Sequence, residues 1–242
     1  MTSDAKKWAQ ELIKCAVTGA TPKPENLPAM TPELYTAIYT LSEETGMTHL
    51  CAYALERAGI EADGDTAKKF RKRKYEALLQ AEMLARRKDE ISAALENAGI
   101  DHIFLKGAAI RPMYPEAWMR RSLDIDLLVR RCDHAAALTA LCAALGCRES
   151  EKSGHDRWIT FPDGFHAEVH FALVDRHPEW ETPLMRLWDS VTVKSGSHGL
   201  AMTPEYEYFY FMAHAAKHFE DGGCGLKTFT DLYVMRSVPR SK

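Results

Sequence analysis

A short apolar strand that carries two aspartates constrains this chain more than any other feature. Apolar and acidic residues alternate from Leu123 to Asp126, and the next three residues are all apolar, which is typical of a central β-strand. Side chains two apart on a strand share a face, so Asp124 and Asp126 lie side by side. Such carboxylates repel each other and are costly to bury unless a cation joins them. Because Mg²⁺ binds carboxylate oxygens together with substrate phosphates, the pair predicts a divalent metal site, with a solvent-facing acidic edge as the alternative.

A glycine turn lies upstream of the two aspartates. Residues Ile103 to Leu105 form a short apolar run, typical of a buried strand, that ends at Lys106-Gly107 before a predicted helix over 108–113. A glycine at such a turn lets backbone N–H groups approach a phosphate, and a helix N-terminus adds a favourable dipole. The turn therefore predicts a phosphate-binding position, and the aspartate strand that follows makes this signal specific.

A third carboxylate lies on a predicted hairpin. Residues 158–161 and 165–171 read as two strands, and a Pro-Asp-Gly turn joins them. Glu168 shares one face of the second strand with His166 and His170. Beside the aspartates it would complete a site for one or two metals, and it could act as general base on an incoming hydroxyl. A solvent-exposed strand face is the alternative interpretation of Glu168.

The remaining patterns predict an α+β fold in three regions. Helical periodicity, caps and terminal glycines predict a helical N-terminal region over 1–99, including a long amphipathic helix over 65–97. The strands and the helix between them predict a small mixed-sheet core over 100–195. Helical patterns then resume and predict a short helical C-terminal tail over 196–242, packed on the core.

Composition narrows the class of protein. The net charge of −3 provides no global attraction to nucleic acid, and no apolar stretch is long enough to cross a bilayer. The first residues lack the apolar segment of a signal peptide, so we expect a cytoplasmic protein. The six cysteines show no CxxC pair, which argues against a disulfide framework or a cysteine-rich zinc site. The basic cluster, residues 68–88, is interpreted as a solvated helix, with a surface for RNA or another polyanion as the alternative.

Two other metal motifs match only in part. His166-Ala167-Glu168 resembles the opening of the zinc deaminase motif, but no Pro-Cys-x-x-Cys follows it. His214 and His218 lie four apart on a predicted helix, but the glutamate of the metalloprotease pattern is missing. We therefore expect these two histidines to face a core or a nucleotide pocket.

Several of these segments together resemble a known family. Over roughly residues 100–237 the chain is similar to the uncharacterised bacterial nucleotidyltransferases of the DNA polymerase β-like nucleotidyltransferase superfamily. The resemblance rests on Ile103-Phe104-Leu105-Lys106-Gly107, Tyr114-Pro115, Arg120-Arg121-Ser122-Leu123-Asp124-Ile125-Asp126-Leu127-Leu128-Val129 and His166-Ala167-Glu168-Val169-His170, and in the tail on His214, Lys217-His218 and Asp231-Leu232. The first hundred residues share only a helical character with the family.

The resemblance implies a mixed-sheet nucleotidyltransferase core and assigns roles to individual residues. The implied catalytic residues, which would also bind Mg²⁺ or Mn²⁺, are Asp124, Asp126 and Glu168. The implied nucleotide-binding residues, at the turn and just before the aspartates, are Lys106, Gly107, Arg120 and Ser122. The chain departs from the superfamily at Ala108, because Gly or Ser usually follows the turn glycine, and one hydroxyl contact to phosphate is thereby lost.

The residues and the resemblance together predict an enzyme, a Mg²⁺-dependent nucleotidyltransferase. It would move a nucleoside monophosphate from an NTP such as ATP to an acceptor hydroxyl and release pyrophosphate. A small molecule or a protein is favoured over tRNA as the acceptor, and no membrane partner is expected. Two alternatives stay open: a nucleotide-binding regulatory module without turnover, and a toxin-type nucleotidyltransferase that acts on tRNA.

Overall fold

The computed structural model describes residues 2–60, 64–153, 156–173, 178–193 and 196–237. The α-helices in these ranges are α1 (Ser3–Thr18), α2 (Pro32–Glu44), α3 (Thr48–Arg57), α4 (Asp65–Asn97), α5 (Lys106–Ile110), α6 (His134–Leu145), α7 (Pro178–Met185), α8 (Pro204–Glu220) and α9 (Leu226–Ser237). The strands are β1 (His102–Leu105), β2 (Asp124–Val129), β3 (Arg148–Ser153), β4 (Asp156–Thr160), β5 (His166–His170), β6 (Thr192–Val193) and β7 (Gly199–Ala201). This order confirms the predicted α+β class, with a helical N-terminal region, a mixed sheet and a helical tail. The region boundary predicted at residue 195 lies outside the described residues.

Threonine side chains cap the first turns of α2 and α8. The hydroxyl of Thr31 accepts the N–H of Leu34 at the start of α2, and Thr203 accepts that of Tyr206 at the start of α8. A proline occupies the first turn of each of these two helices, where its missing N–H costs nothing. The long helix predicted over 65–97 is confirmed as α4. Within the described ranges, every helix is too short or too polar to span a membrane.

The seven strands form one mixed sheet in the order β3-β4-β5-β2-β1-β7-β6. Strand β2 lies near its centre, antiparallel to β1 and parallel to β5, and β4 runs antiparallel to β5 as the predicted hairpin. Strand β6 lies at one edge of the sheet and pairs antiparallel with β7. Helix α7 and strands β3 and β7 were not predicted. Strand β3 is highly charged and β7 has only three residues, so neither shows the pattern of a buried strand.

The two faces of the sheet pack against different helices. Ile125, Leu127 and Val129 of β2 belong to a core that includes residues of α4, α6 and β5. Leu128 points the other way and packs with Tyr210 of α8 and with residues of α7. Complete burial of one such leucine or isoleucine is worth about 1.5–3 kcal/mol, so the apolar alternation of β2 sets which face its aspartates occupy.

The chain packs as two compact units that do not follow chain order. One unit contains the described residues within 2–81, 111–121 and 224–237, and within it α1 packs against α2 and α3. The other contains the described residues within 82–110 and 122–223, and it holds all seven strands found among them. The functional division into 1–99, 100–195 and 196–242 stays a prediction.

Candidate active site

Strand pairing brings the predicted turn and two of the predicted carboxylates together. Strands β2 and β5 are in register with Asp126 opposite Glu168 and Asp124 opposite His166. Strand β1 pairs with β2 on the other side and places Leu105 opposite Asp126. Because the turn begins at the next residue, three neighbouring strands deliver their functional side chains to one place on the sheet.

Asp126 is the centre of a buried polar cluster. Its side chain is 6 % exposed, and Lys106 Nζ donates a hydrogen bond to its Oδ1 at 2.6 Å. His170 Nε2 lies 3.1 Å from the same oxygen and 3.3 Å from Glu168 Oε2, so this nitrogen carries the proton and donates to the carboxylates. Lys106 Nζ lies 4.0 Å from Glu168 Oε2. The cluster thus combines two carboxylates, one ammonium group and one imidazole.

The charges of the cluster stabilise one another. Burial works against every charge here, yet the ammonium of Lys106 and the N–H of His170 hold the pKa of Asp126 well below its usual range. In turn, the acidic neighbours outweigh burial and raise the pKa of Lys106 and of His170. Asp126 is therefore ionised and Lys106 cationic at neutral pH.

The cluster fits a divalent cation. The ligand atoms of Asp126, Glu168 and His170 all lie within 4.8 Å of one another. Carboxylate oxygens suit Mg²⁺ and Mn²⁺, so Asp126 and Glu168 would be the main ligands. The imidazole of His170 suits transition metals, but its Nε2 would bind one only after losing the proton that it donates to the carboxylates. The ammonium of Lys106 already occupies a cation position at Asp126 Oδ1, which shows that positive charge is favoured there. A bound metal ion would replace this ammonium as the partner of Asp126.

Asp124 and His170 differ from what the sequence suggests. Asp124 begins β2, half-buried and on the face of Asp126, but it is not part of the ligand group found among the described residues. Its metal-binding role stays a prediction. His170 belongs to the group, although the sequence interpretation placed it beside Glu168 without a role. The two-residue periodicity of β5 was the signal that could have identified it.

The turn after β1 is formed by Lys106 rather than by Gly107. Lys106 has a φ of +48°, in the left-handed region that costs a side-chain-bearing residue about 1–2 kcal/mol. This conformation lets α5 begin directly after β1 while the lysine side chain reaches Asp126. Gly107 and Ala108 are buried residues of α5. Phosphate binding by Lys106 and Gly107 stays a prediction.

Arg120, a predicted nucleotide contact, is held by Asp231. Its Nε donates to the two carboxylate oxygens at 2.7 and 2.9 Å, and the hydroxyl of Tyr114 donates to Oδ1 at 2.6 Å. All three side chains are buried. Ser122 is buried just before β2. Nucleotide binding by Arg120 and Ser122 stays a prediction, and sequence reasoning gave no sign of the Arg120–Asp231 pair.

Helix α8 brings aromatic side chains to the lysine end of the cluster. Tyr210 is buried, and burial raises its pKa far above the usual value. Burial, followed by repulsion from Lys106, lowers the pKa of His214 to about 3, so this imidazole is neutral. His214 Nε2 and His218 Nε2 lie 2.9 Å apart, and His218 is exposed. The two histidines therefore interact with each other at the border of the site.

Comparison with known proteins identifies a family. The profile of a family described as uncharacterised nucleotidyltransferase matches residues 32–238, so the likeness extends further toward the N-terminus than the motifs indicate. No curated protein matches the chain. Among solved structures, the antibiotic-resistance factor ANT(2'')-Ia is similar with a TM-score of 0.44 and 17 % identity, over 66 % of this chain and 83 % of that one.

Proposed function

The chain belongs to the uncharacterised nucleotidyltransferase family, and we propose that it transfers a nucleoside monophosphate from an NTP to an acceptor hydroxyl with release of pyrophosphate. The observation that supports this reaction best is the group formed by Asp126, Glu168 and His170 next to Lys106. Two carboxylates on neighbouring strands suit a divalent cation, and that cation together with the ammonium of Lys106 would align and neutralise a triphosphate, which are the main needs of phosphoryl transfer.

Each member of the cluster has a role that its surroundings support. Asp126 and Glu168, with the predicted Asp124, would hold Mg²⁺ or Mn²⁺, which when bound neutralises phosphate charge and polarises the phosphoryl group. The ammonium of Lys106, released from Asp126, would bind a phosphate oxygen. Glu168 would take the proton of the acceptor hydroxyl. At the same time the hydroxyl oxygen would bond to the α-phosphorus, and the bond from this phosphorus to pyrophosphate would break. The N–H of His170 orients both carboxylates.

The basic cluster, residues 68–88, favours an acceptor other than tRNA. Six of its nine basic side chains pair with acidic side chains: Lys68 with Asp65, Lys72 with Glu76, Arg73 with Glu43 and Glu76, Lys74 with Glu56, Arg86 with Glu90, and Arg87 with Glu90 and Asp163. Each pairing cancels positive charge that a phosphate backbone would otherwise attract. We therefore propose a small molecule or a protein as the acceptor.

The proposal is tested by incubating the protein with α-labelled NTPs, Mg²⁺ and a small-molecule extract. We expect metal-dependent transfer of label, which Asp126→Asn abolishes because the central ligand loses its charge. Asp89→Asn is the matched control, since Asp89 is an exposed carboxylate on α4. NTP binding without transfer by the unaltered protein would favour the regulatory alternative, for which the departure at Ala108 is the motivation. Undiminished transfer by Asp126→Asn would contradict the site assignment.

A further inference from the structure

An exposed tryptophan lies next to the candidate general base. Strand β4 pairs antiparallel with β5 and places Trp158 directly opposite Glu168. Side chains opposite each other in such a pair have Cβ atoms about 4.5–5.5 Å apart and share one face of the sheet. Trp158 is 41 % exposed, whereas the side chain of Glu168 is 15 % exposed. A large flat apolar side chain therefore meets solvent beside the carboxylate that would activate the acceptor.

The functional side chains follow one another across the sheet. Lys106 directly follows β1, Asp126 lies on β2, Glu168 on β5 and Trp158 on β4, and these four strands are consecutive neighbours. Neighbouring strands lie about 4.8 Å apart, so β4, which carries Trp158, is roughly 14 Å from β1 but only about 5 Å from β5, which carries Glu168. The triphosphate is assigned to the lysine end. Because the attacking and leaving oxygens lie roughly in line, the acceptor approaches from the tryptophan end.

The surroundings of Trp158 indicate the chemistry of this ligand. The ring of His166 lies 6.2 Å from the indole, and its Nδ1 is 3.0 Å from Thr160 Oγ1. An exposed indole gains most from a ligand that offers a flat apolar ring face, and the polar groups beside it can orient further hydroxyls. An open-chain alcohol would gain little from the indole. An isolated exposed tryptophan would suit a protein contact equally well, and its position opposite Glu168 is what points to the acceptor.

We infer that the acceptor is a small molecule whose hydroxyl is carried on a ring, and that this ring stacks on Trp158 with the hydroxyl toward Glu168. A sugar ring and an aromatic ring share the required chemistry, which is an apolar face with a hydroxyl at its edge. This inference rests on the proposed function and specifies its acceptor. Trp158 thereby becomes the residue that determines acceptor specificity.

Binding at Trp158 can be tested without turnover. Protein labelled with 5-fluorotryptophan gives fluorine NMR signals for its five tryptophans, and Trp158→Phe assigns the signal of interest. Methyl glucoside (a sugar ring) or 4-hydroxyphenylacetamide (an aromatic ring) should shift this signal saturably, and the probe that does so identifies the ring class. Sorbitol, an open-chain polyol, should leave it in place. An unmoved signal with both rings, or an equal shift with sorbitol, would overturn the inference.

A kinetic test separates this inference from the proposed function. In transfer from labelled NTP to the ring probe that binds, Trp158→Ala should raise the KM of the probe about tenfold, which is the size of one lost stacking contact. The KM of the NTP should not change, and Trp158→Phe should restore most of the probe's KM. Asp126→Asn should abolish transfer and keep the fluorine shift. Absence of transfer by the unaltered protein refutes the function alone, whereas equal KM values for Trp158→Ala and the unaltered protein refute the inference alone.

Discussion

Replacing Lys106 with methionine tests whether its ammonium is the cation that stabilises the carboxylates. Methionine keeps the unbranched chain and removes only the charge and the hydrogen bond to Asp126 Oδ1. The carboxylate of Asp126 is left buried with His170 as a remaining partner. Removal of one partner from a buried ion pair costs about 3–5 kcal/mol, because the other charge stays buried without compensation. Lys106 is 22 % exposed and His170 remains, so we expect the lower end of that range.

Magnesium should reverse part of this loss. In the unaltered protein the metal must displace the ammonium, whereas in Lys106→Met the position next to Asp126 is open to it. A ligand that binds only the folded state adds stability by mass action, so millimolar Mg²⁺ should stabilise the variant more than the unaltered protein. Urea unfolding with and without Mg²⁺ measures both effects.

A matched control for this experiment is Lys68→Met. Lys68 pairs with Asp65 in an exposed i,i+3 pair, so its loss should cost less than about 1 kcal/mol. If Lys106→Met is no less stable than this control, or if Mg²⁺ stabilises the unaltered protein more, the ammonium does not serve as the cation of the cluster.

Three further predictions follow from the pairing and burial of individual side chains. Arg120→Met should lower the free energy of unfolding by about 3–5 kcal/mol, because it leaves Asp231 buried without its cation; weaker NTP binding at unchanged stability would instead make Arg120 a nucleotide contact. Burial raises the pKa of Glu207 to about 7, above its value of about 4.3 in the unfolded chain. Between these two pH values the unfolded chain has lost a proton that the folded protein keeps, so the free energy of unfolding falls as pH rises from about 4.3 to about 7. Glu207→Gln should therefore have a melting temperature that changes less with pH across that interval, and above it the variant should be more stable than the unaltered protein. Parallel plots of melting temperature against pH for the two proteins would contradict the assignment. Changing the exposed Lys72 and Arg86 to Gln should leave weak tRNA binding and its salt dependence nearly unchanged, whereas tight binding that these changes weaken would favour a tRNA acceptor.

Local patterns in the sequence were sufficient for most of the helices and for the central strands. Thr31 and Thr203, each followed by proline, mark helix starts because capping depends on residues within one turn. The alternation of β2 was enough to place Asp124 and Asp126 on one face. Strand β7 escaped prediction because three residues carry too little periodicity, and it is a strand only through its pairing with β1.

The membership of the candidate site was decided by tertiary structure. The parallel pairing of β2 with β5 sets Asp126 opposite Glu168, and no pattern within either segment specifies its partner or register. His170 joins the group because that register places it two pairs beyond Glu168 along the strand, opposite Leu128 and within reach of both carboxylates. The left-handed conformation of Lys106 likewise depends on how the turn meets the sheet.

The sequence alone determined which kinds of functional group form the site and which strand faces they occupy, because these depend only on side-chain identity and on the periodicity of a single segment. The tertiary structure alone decided that the cation beside Asp126 is Lys106, that His170 rather than Asp124 completes the described ligand group, and that Trp158 borders Glu168. The physical reason is that strand pairing is non-local: its free energy comes from contacts between segments far apart in the chain, which no local period records.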